Sequence, residues 1–184
     1  MVKYFLLVLV GVLAQLEGWD YKFGRCPHIA KLSQFPIIPN VKYYQILRTA
    51  GFPLLIGECT VSESILKPDG TLDTKIQQVF RGMQLSLSAT IAYDQRPGHY
   101  GSFLFTSSFG AIEGNYVDTD YQTYFITYIC QSDKNSRRDL LEVYSSDVNF
   151  DYNFLLPKIY ALNYQESDIE ITDHSPEACH VGPV

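Results

Sequence analysis

The chain reads as an all-β protein, an eight-stranded antiparallel up-and-down β-barrel with one C-terminal α-helix packed outside it. Three observations point there. Short alternating segments are separated by turn chemistry at Lys67-Pro68-Asp69-Gly70, Arg96-Pro97-Gly98, Ser107-Ser108-Phe109-Gly110 and Glu113-Gly114-Asn115. From Met83 to Tyr93, the residues Met83, Leu85, Leu87, Ala89, Ile91 and Tyr93 alternate with Gln84, Ser86, Ser88, Thr90 and Ala92, so one face is apolar and the other polar. No repeat, low-complexity tract or linker divides the chain, and its length suits a single core.

The N-terminus is set apart from that core. Met1-Val2-Lys3 precedes a run from Tyr4 to Ala14 that is apolar apart from Gly11, and Val12-Leu13-Ala14 carries the small residues that signal peptidase reads. Glu17 closes the run well short of the roughly 20 residues needed to cross a bilayer. Residues 1–18 are therefore expected to be a secretory signal peptide, cleaved after Ala14 or Gly18, and residues 19–184 a secreted, extracellular domain with no integral membrane anchor. A formal net charge of -6 supplies no basic face for nucleic acid or an anionic membrane.

The strands are expected at about 43–49, 59–66, 72–80, 83–93, 100–106, 112–118, 122–131 and 139–145. Eight sequential antiparallel strands close into a barrel, which removes the sheet edges and leaves an interior able to hold one small ligand. The same strands could also build a sandwich. Within Asp151 to Asn163, Phe154, Leu155, Ile159 and Leu162 recur at near-helical spacing, with Pro157 inside or near the first turn. Ile169 and Ile171 flank Glu170 and suggest a short last strand.

Cys26, Cys59, Cys130 and Cys179 are an even number in a chain read as secreted, without the close pairs of a zinc site, so two disulfides are expected in one of three connectivities. His28, His99, His174 and His180 are scattered, which argues against a metal or haem site. No nucleophile elbow or phosphate-binding loop is present and every thiol is committed to a bridge, so no catalysis and no catalytic cofactor are expected. Asp120 and Tyr121 read as a turn between strands, with the Asp accepting backbone hydrogen bonds.

The segment Val117-Asp118-Thr119-Asp120-Tyr121-Gln122-Thr123-Tyr124-Phe125-Ile126-Thr127-Tyr128-Ile129-Cys130 resembles the second signature of the lipocalins, small secreted barrels that carry apolar ligands. From Gly24-Arg25-Cys26-Pro27 to Ser175-Pro176-Glu177-Ala178-Cys179 the order and cysteine spacing resemble the insect bilin-binding and apolipoprotein D-like members. That resemblance implies Cys26 bonded to Cys130 and Cys59 to Cys179. The chain departs from the pattern twice. Val41-Lys42-Tyr43 stands where the family carries Gly-x-Trp, and Ser145-Ser146 where it carries the arginine that covers the tryptophan. Losing both partners together is coherent, because a cation over an aromatic face contributes only about 0.5–2 kcal/mol and neither partner serves without the other.

The resemblance also sets strand parity. Counting five residues on from Cys59 turns Ser64 inward, and with it Thr60, Ser62 and Leu66, while Val61, Glu63 and Ile65 face out. A second inward position falls on Glu142, where a buried carboxylate would have to be paired or bound to a polar ligand group. A one-residue register shift would instead place it in solvent. The expected ligand contacts are Ser62, Ser64 and Glu142 for a polar end, with Met83, Leu85, Leu87, Phe103, Phe105, Tyr116, Tyr124 and Tyr128 as the apolar wall, in a chain with 14 tyrosines and 11 phenylalanines. The partner is thus a small hydrophobic ligand. The resemblance implies biliverdin or another linear tetrapyrrole first, then a carotenoid or other pigment, a fatty acid, a sterol or a pheromone. A barrel that acts through its surface, as an inhibitor or structural partner, is the rival from another class. Tyr43 and Tyr44, read as exposed aromatics, either make an interface, which leaves room for a homo-oligomer, or merely close the barrel.

Overall fold

The computed structural model describes residues 22–29, 32, 36, 39–49, 57–94, 101–108, 110–132 and 135–180. Residues 1–18, expected to be a signal peptide, lie outside the described residues. Eight antiparallel strands follow in order: β2 (Lys42–Thr49), β3 (Glu58–Leu66), β4 (Leu72–Phe80), β5 (Met83–Tyr93), β6 (Ser102–Ser107), β7 (Gly110–Thr119), β8 (Tyr124–Ser132) and β9 (Ser136–Ser145). The sheet closes where β9 returns to β2, with Tyr44 opposite Ser145 and Arg48 opposite Glu142. A barrel, not a sandwich, is the outcome. Two short strands extend it: β1 (Lys22–Phe23) beside β9, which the sequence did not signal, and β10 (Ile169–Ile171) beside β2.

Strand β8 begins at Tyr124, later than expected. The Asp120 carboxylate accepts the amides of Gln122, Thr123 and Tyr124, and Tyr121 adopts a positive φ of 61°, so the turn holds these residues out of the ladder. The Lys67–Gly70 turn forms as expected, with the Lys67 amide bonded to the Thr71 carbonyl at 2.8 Å and Asp69 accepting from the Thr71 amide at 2.9 Å.

The barrel wall separates two apolar clusters. The inner one joins Tyr43, Leu72, Ile76, Ile91, Phe103, Tyr116, Phe125, Ile129, Leu140 and Tyr144. The outer one joins Ile46, Leu47, Tyr124, Ile126, Tyr128, Leu141 and Val143 to Leu155 and Ile159 of the following segment. Strands β8 and β9 therefore carry apolar residues on both faces, one lining the interior and one covered from outside. In β2 the register shifts between Gln45 and Leu47. Ile46 and Leu47 both join the outer cluster, and Arg48 returns to the side of Glu142.

The outer cover is shorter than the expected 151–163 helix. A 3-10 turn, Asn153–Leu155, leads into a five-residue helix α1 (Leu156–Tyr160) with Pro157 in its first turn, where proline lacks no needed donor. Leu155 and Ile159 are fully buried against the barrel. Lys158 reaches back to Asp118, which also accepts from the Tyr124 hydroxyl at 2.8 Å, so a polar clasp holds α1 to the wall.

Strands β2 and β3 pair only from Lys42 to Tyr44. Beyond that point the C-terminal segment enters the seam: β10 pairs Ile169–Ile171 with Leu47–Thr49, the Thr172 amide bonds the Ile46 carbonyl at 3.0 Å, and the Cys59 amide bonds the Asp173 carbonyl at 2.9 Å. The disulfides are Cys26–Cys130 and Cys59–Cys179, the pairing that the resemblance implied. The second fixes the seam and the first ties the N-terminal segment to β8.

Candidate functional site

One end of the interior is closed by rings. Tyr43, 3% exposed, meets Phe125 edge-on at 4.9 Å between centroids; Phe125 stacks on Tyr144 at 5.2 Å; Tyr116 packs against both Phe125 and Phe103. Tyr43 thus fills the place where the resemblance led one to look for tryptophan. Of its two readings, an exposed interface residue or one that closes the barrel, the second is the one adopted: its ring is part of the barrel floor. Tyr44 stays half-buried, edge-on to the His174 ring. At the arginine position, Ser145 is fully buried and accepts the Asp147 amide, while the Ser146 amide bonds the Thr123 carbonyl. A Cβ on Gly114 would lie 2.4 Å from the Phe103 ring, so glycine there makes room for the floor.

Away from the floor the same inward register stays accessible. On β5, Ala89 and Ile91 are buried and Leu87 is partly buried against the inner cluster, but Leu85 is 41% and Met83 56% exposed. Phe105 and Ile112, paired across β6 and β7, also lie partly buried against that cluster. Met83, Leu85, Leu87, Phe103, Phe105 and Tyr116 therefore share one continuous inner wall, from a sealed floor to an accessible mouth.

The wall's polar part lies where β2, β8, β9 and the C-terminal segment meet. Glu142 faces inward, as the family parity required, and the solvent-facing register is not the one adopted. Its carboxylate accepts from Gln45 Nε2 at 2.7 Å, from the Tyr144 hydroxyl at 3.1 Å and from Thr127 Oγ1 at 3.2 Å. Gln45 Oε1 in turn accepts from Thr172 Oγ1 at 3.1 Å and from the Arg48 guanidinium at 3.2 Å. Arg48, 4% exposed, also bonds Glu170 at 3.0 Å and the Gly57 carbonyl at 2.8 Å. Burial pushes the Glu142 carboxyl above the usual range, opposed by the hydrogen bonds from Tyr144, Thr127 and Gln45 and by the Arg48 charge. Burial drives the Tyr116 and Tyr144 phenols well upward, and the Glu142 charge adds to both shifts.

Ser64 is buried with its hydroxyl 2.9 Å from that of Thr74, and Ser62, half-buried, sits opposite Tyr43 and Ile76 on the inward register. Thr60 is buried and donates to the Gly57 carbonyl. Leu66 ends β3 and is 48% exposed, as is outward Ile65 at 62%.

Tyr124 and Tyr128 are corrected. Both belong to the outer cluster, and their hydroxyls bond Asp118 and Asp139 outside the barrel. The inward residues of β8 are Phe125, Thr127 and Ile129. Alternation fails as a guide here because both faces of β8 are covered, so neither is marked by polar residues. Thr127 was missed for the same reason, and Gln45 and Arg48 for a related one, because on β2 the bulge breaks the two-residue period; Tyr144 keeps the parity of Glu142 on β9. Among the described residues no group of acidic, histidine and cysteine side chains could hold a metal ion.

No family model matches the sequence. No curated protein matches it either. Solved structures do. Insecticyanin from the tobacco hornworm Manduca sexta superposes with a TM-score of 0.73 at 16% identity, over 89% of this chain and 93% of that one. A crustacyanin from the lobster Homarus americanus gives 0.71 at 16%, over 85% and 92%. The siderocalin Ex-FABP, described as functioning through dual ligand specificities, gives 0.59 at 10%, over 74% and 94%. With the closed eight-stranded barrel, the short outside helix and the inner wall already in place, these likenesses identify the architecture: the chain has the lipocalin fold and resembles the insect and crustacean lipocalins.

Proposed function

We propose that this is a secreted carrier or store for one small, largely apolar ligand held in the barrel, and that it works without catalysis. The observation that carries the reading is the accessible inner wall. Leu85 and Met83 stay exposed on the register that is buried at the floor, and an apolar wall of that kind gains roughly 25 cal/mol for each Å² that a ligand covers. The two disulfides and the signal-like N-terminus support secretion. Likeness to insecticyanin and a crustacyanin, added to the sequence resemblance to bilin-binding proteins, favours a pigment, with biliverdin or another linear tetrapyrrole first and a carotenoid second.

The test is a visible absorption spectrum and native mass spectrum of protein purified from its natural source. A long-wavelength band with a tetrapyrrole-sized mass increment is expected. A carotenoid mass redirects the assignment within pigments, and a colourless protein carrying a lipid mass moves it to a fatty acid or sterol. A protein of its own mass that takes up no apolar probe rejects the carrier.

A second reading draws on the outer wall. Over β3–β6 lies a groove of about 670 Å³ whose sides include outward residues Glu63, Ile65, Asp73, Lys75 and Thr90. Its charged and hydroxylic lining suits contact with another macromolecule better than apolar cargo, which would make the barrel a scaffold for surface recognition. Tight protein binding with no uptake of any apolar probe would favour it.

A further inference from the structure

Resting on the carrier reading, we infer that the cavity has a built-in polarity: the end of the ligand that reaches the floor is neutral or cationic, and an anionic group is kept from that end by Glu142. The argument starts from the placement of charge. Glu142 lies one inward step from the floor residue Tyr144 on β9, and Leu140 lies one step toward the mouth. The groups that face the carboxylate are Gln45 and Arg48 from β2, Thr127 from β8, Tyr144 from β9 and Tyr116 from β7. Three of them donate hydrogen bonds to its two oxygens, the arrangement that serves a carboxylate, which only accepts.

Arg48 does not cancel this charge. Its guanidinium is drawn into the seam by Glu170 at 3.0 Å and Glu58 at 3.9 Å, so one cation faces three carboxylates counting Glu142. Beside this polar group the floor residues Tyr43, Tyr116, Phe125 and Tyr144 are buried rings, and a charge among buried side chains is screened less than one in water. A ligand carboxylate brought there would meet repulsion as well as lose its hydration. An ammonium, hydroxyl or ring N–H would instead find an acceptor. Toward the mouth the balance differs, because Arg138 on β9 shares the inward register of Leu140 and Glu142. Anionic groups are therefore tolerated at the mouth and excluded from the floor, and the expected cargo is a molecule with its acidic groups on one end only.

The experiment uses the full disulfide-bonded protein and displacement of a neutral fluorophore, N-phenyl-1-naphthylamine. Two competitors share one carboxylate and differ at the far end, 12-hydroxydodecanoate and dodecanedioate. In the wild type the hydroxy acid is expected to displace the probe about tenfold more strongly than the diacid, and Glu142→Gln, which keeps the shape and removes the charge, is expected to narrow that ratio to about threefold or less. An unchanged ratio overturns the polarity while leaving the carrier intact. Failure of the probe and both competitors to enter overturns both. Should Glu142→Gln not fold, the wild type still decides. There 12-aminododecan-1-ol is expected to compete at least as well as dodecane-1,12-diol, and an amine that is about tenfold weaker overturns the inference.

Discussion

Asp120 shows how much one side chain can do in a turn. Its carboxylate accepts the amides of Gln122, Thr123 and Tyr124 as well as the Thr123 hydroxyl. Partial burial raises its pKa, but these hydrogen bonds outweigh burial and hold it at about 2, below the ordinary 3.8. Such a group stabilises the fold above pH 3.8 and loses that contribution as the pH falls toward 2. Asp120→Asn is expected to cost about 1 kcal/mol near neutrality, a modest figure because the site is largely exposed. The gap from wild type should close as urea midpoints are taken down from pH 7 to pH 2, and a gap that stays constant would reject the assignment. This turn was legible in the sequence because Thr119-Asp120-Tyr121 is local chemistry. Two partners of Glu142 were not: Gln45 on β2 and Thr127 on β8 reach it from other strands, and no spacing along the chain announces them, whereas Tyr144 shares its face of β9 two residues on.

At the level of elements, the C-terminal segment behaves as part of the barrel wall. Between Ile169 and Asp173 it bonds to β2 on one side and to β3 on the other, and Thr172 reaches Gln45 within the polar wall. Cys59–Cys179 closes this arrangement over a separation of 120 residues. Replacing both cysteines by serine is expected to lower stability by about 2–5 kcal/mol and to speed amide exchange at Leu47 and Thr49 before the rest of β2. Urea unfolding with hydrogen-exchange mass spectrometry measures both. Exchange that accelerates evenly over all strands would mean that the bridge acts on the unfolded chain alone and that the seam is not opened. The sequence announced a strand at Ile169 and Ile171 by alternation, but it carried no sign of the position that strand takes, because that depends on where β2 and β3 part.

For the molecule as a whole, the accessible mouth over a sealed floor makes a coupling between binding and stability. A ligand that binds only the folded barrel adds about 2.7 kcal/mol at a free concentration near 100 times its Kd, which for a domain of this size raises Tm by about 5–10 °C. Saturating N-phenyl-1-naphthylamine should give such a rise. Leu85→Arg places a charge at an exposed position of the inner wall. It should leave the unliganded Tm within a few degrees and abolish the rise. A rise that survives in Leu85→Arg would locate the binding elsewhere, such as the groove over β3–β6.

What the sequence determined by itself was the class of structure and its covalent frame: eight strands from alternation and turn chemistry, an outside helix from the spacing of Leu155 and Ile159, and, through family likeness, the two disulfides. The strands and the helix follow from local periodicity, which a linear string carries intact, and the pairing of the cysteines from the resemblance. The tertiary structure alone decided which face of β8 lines the barrel interior, how Arg48 comes to lie beside Glu142, and that Tyr43 seals the floor. The physical reason is burial on both sides: once α1 covers one face of β8 and β9 and the interior takes the other, apolar residues occupy both, and only the closure of the sheet tells inside from outside.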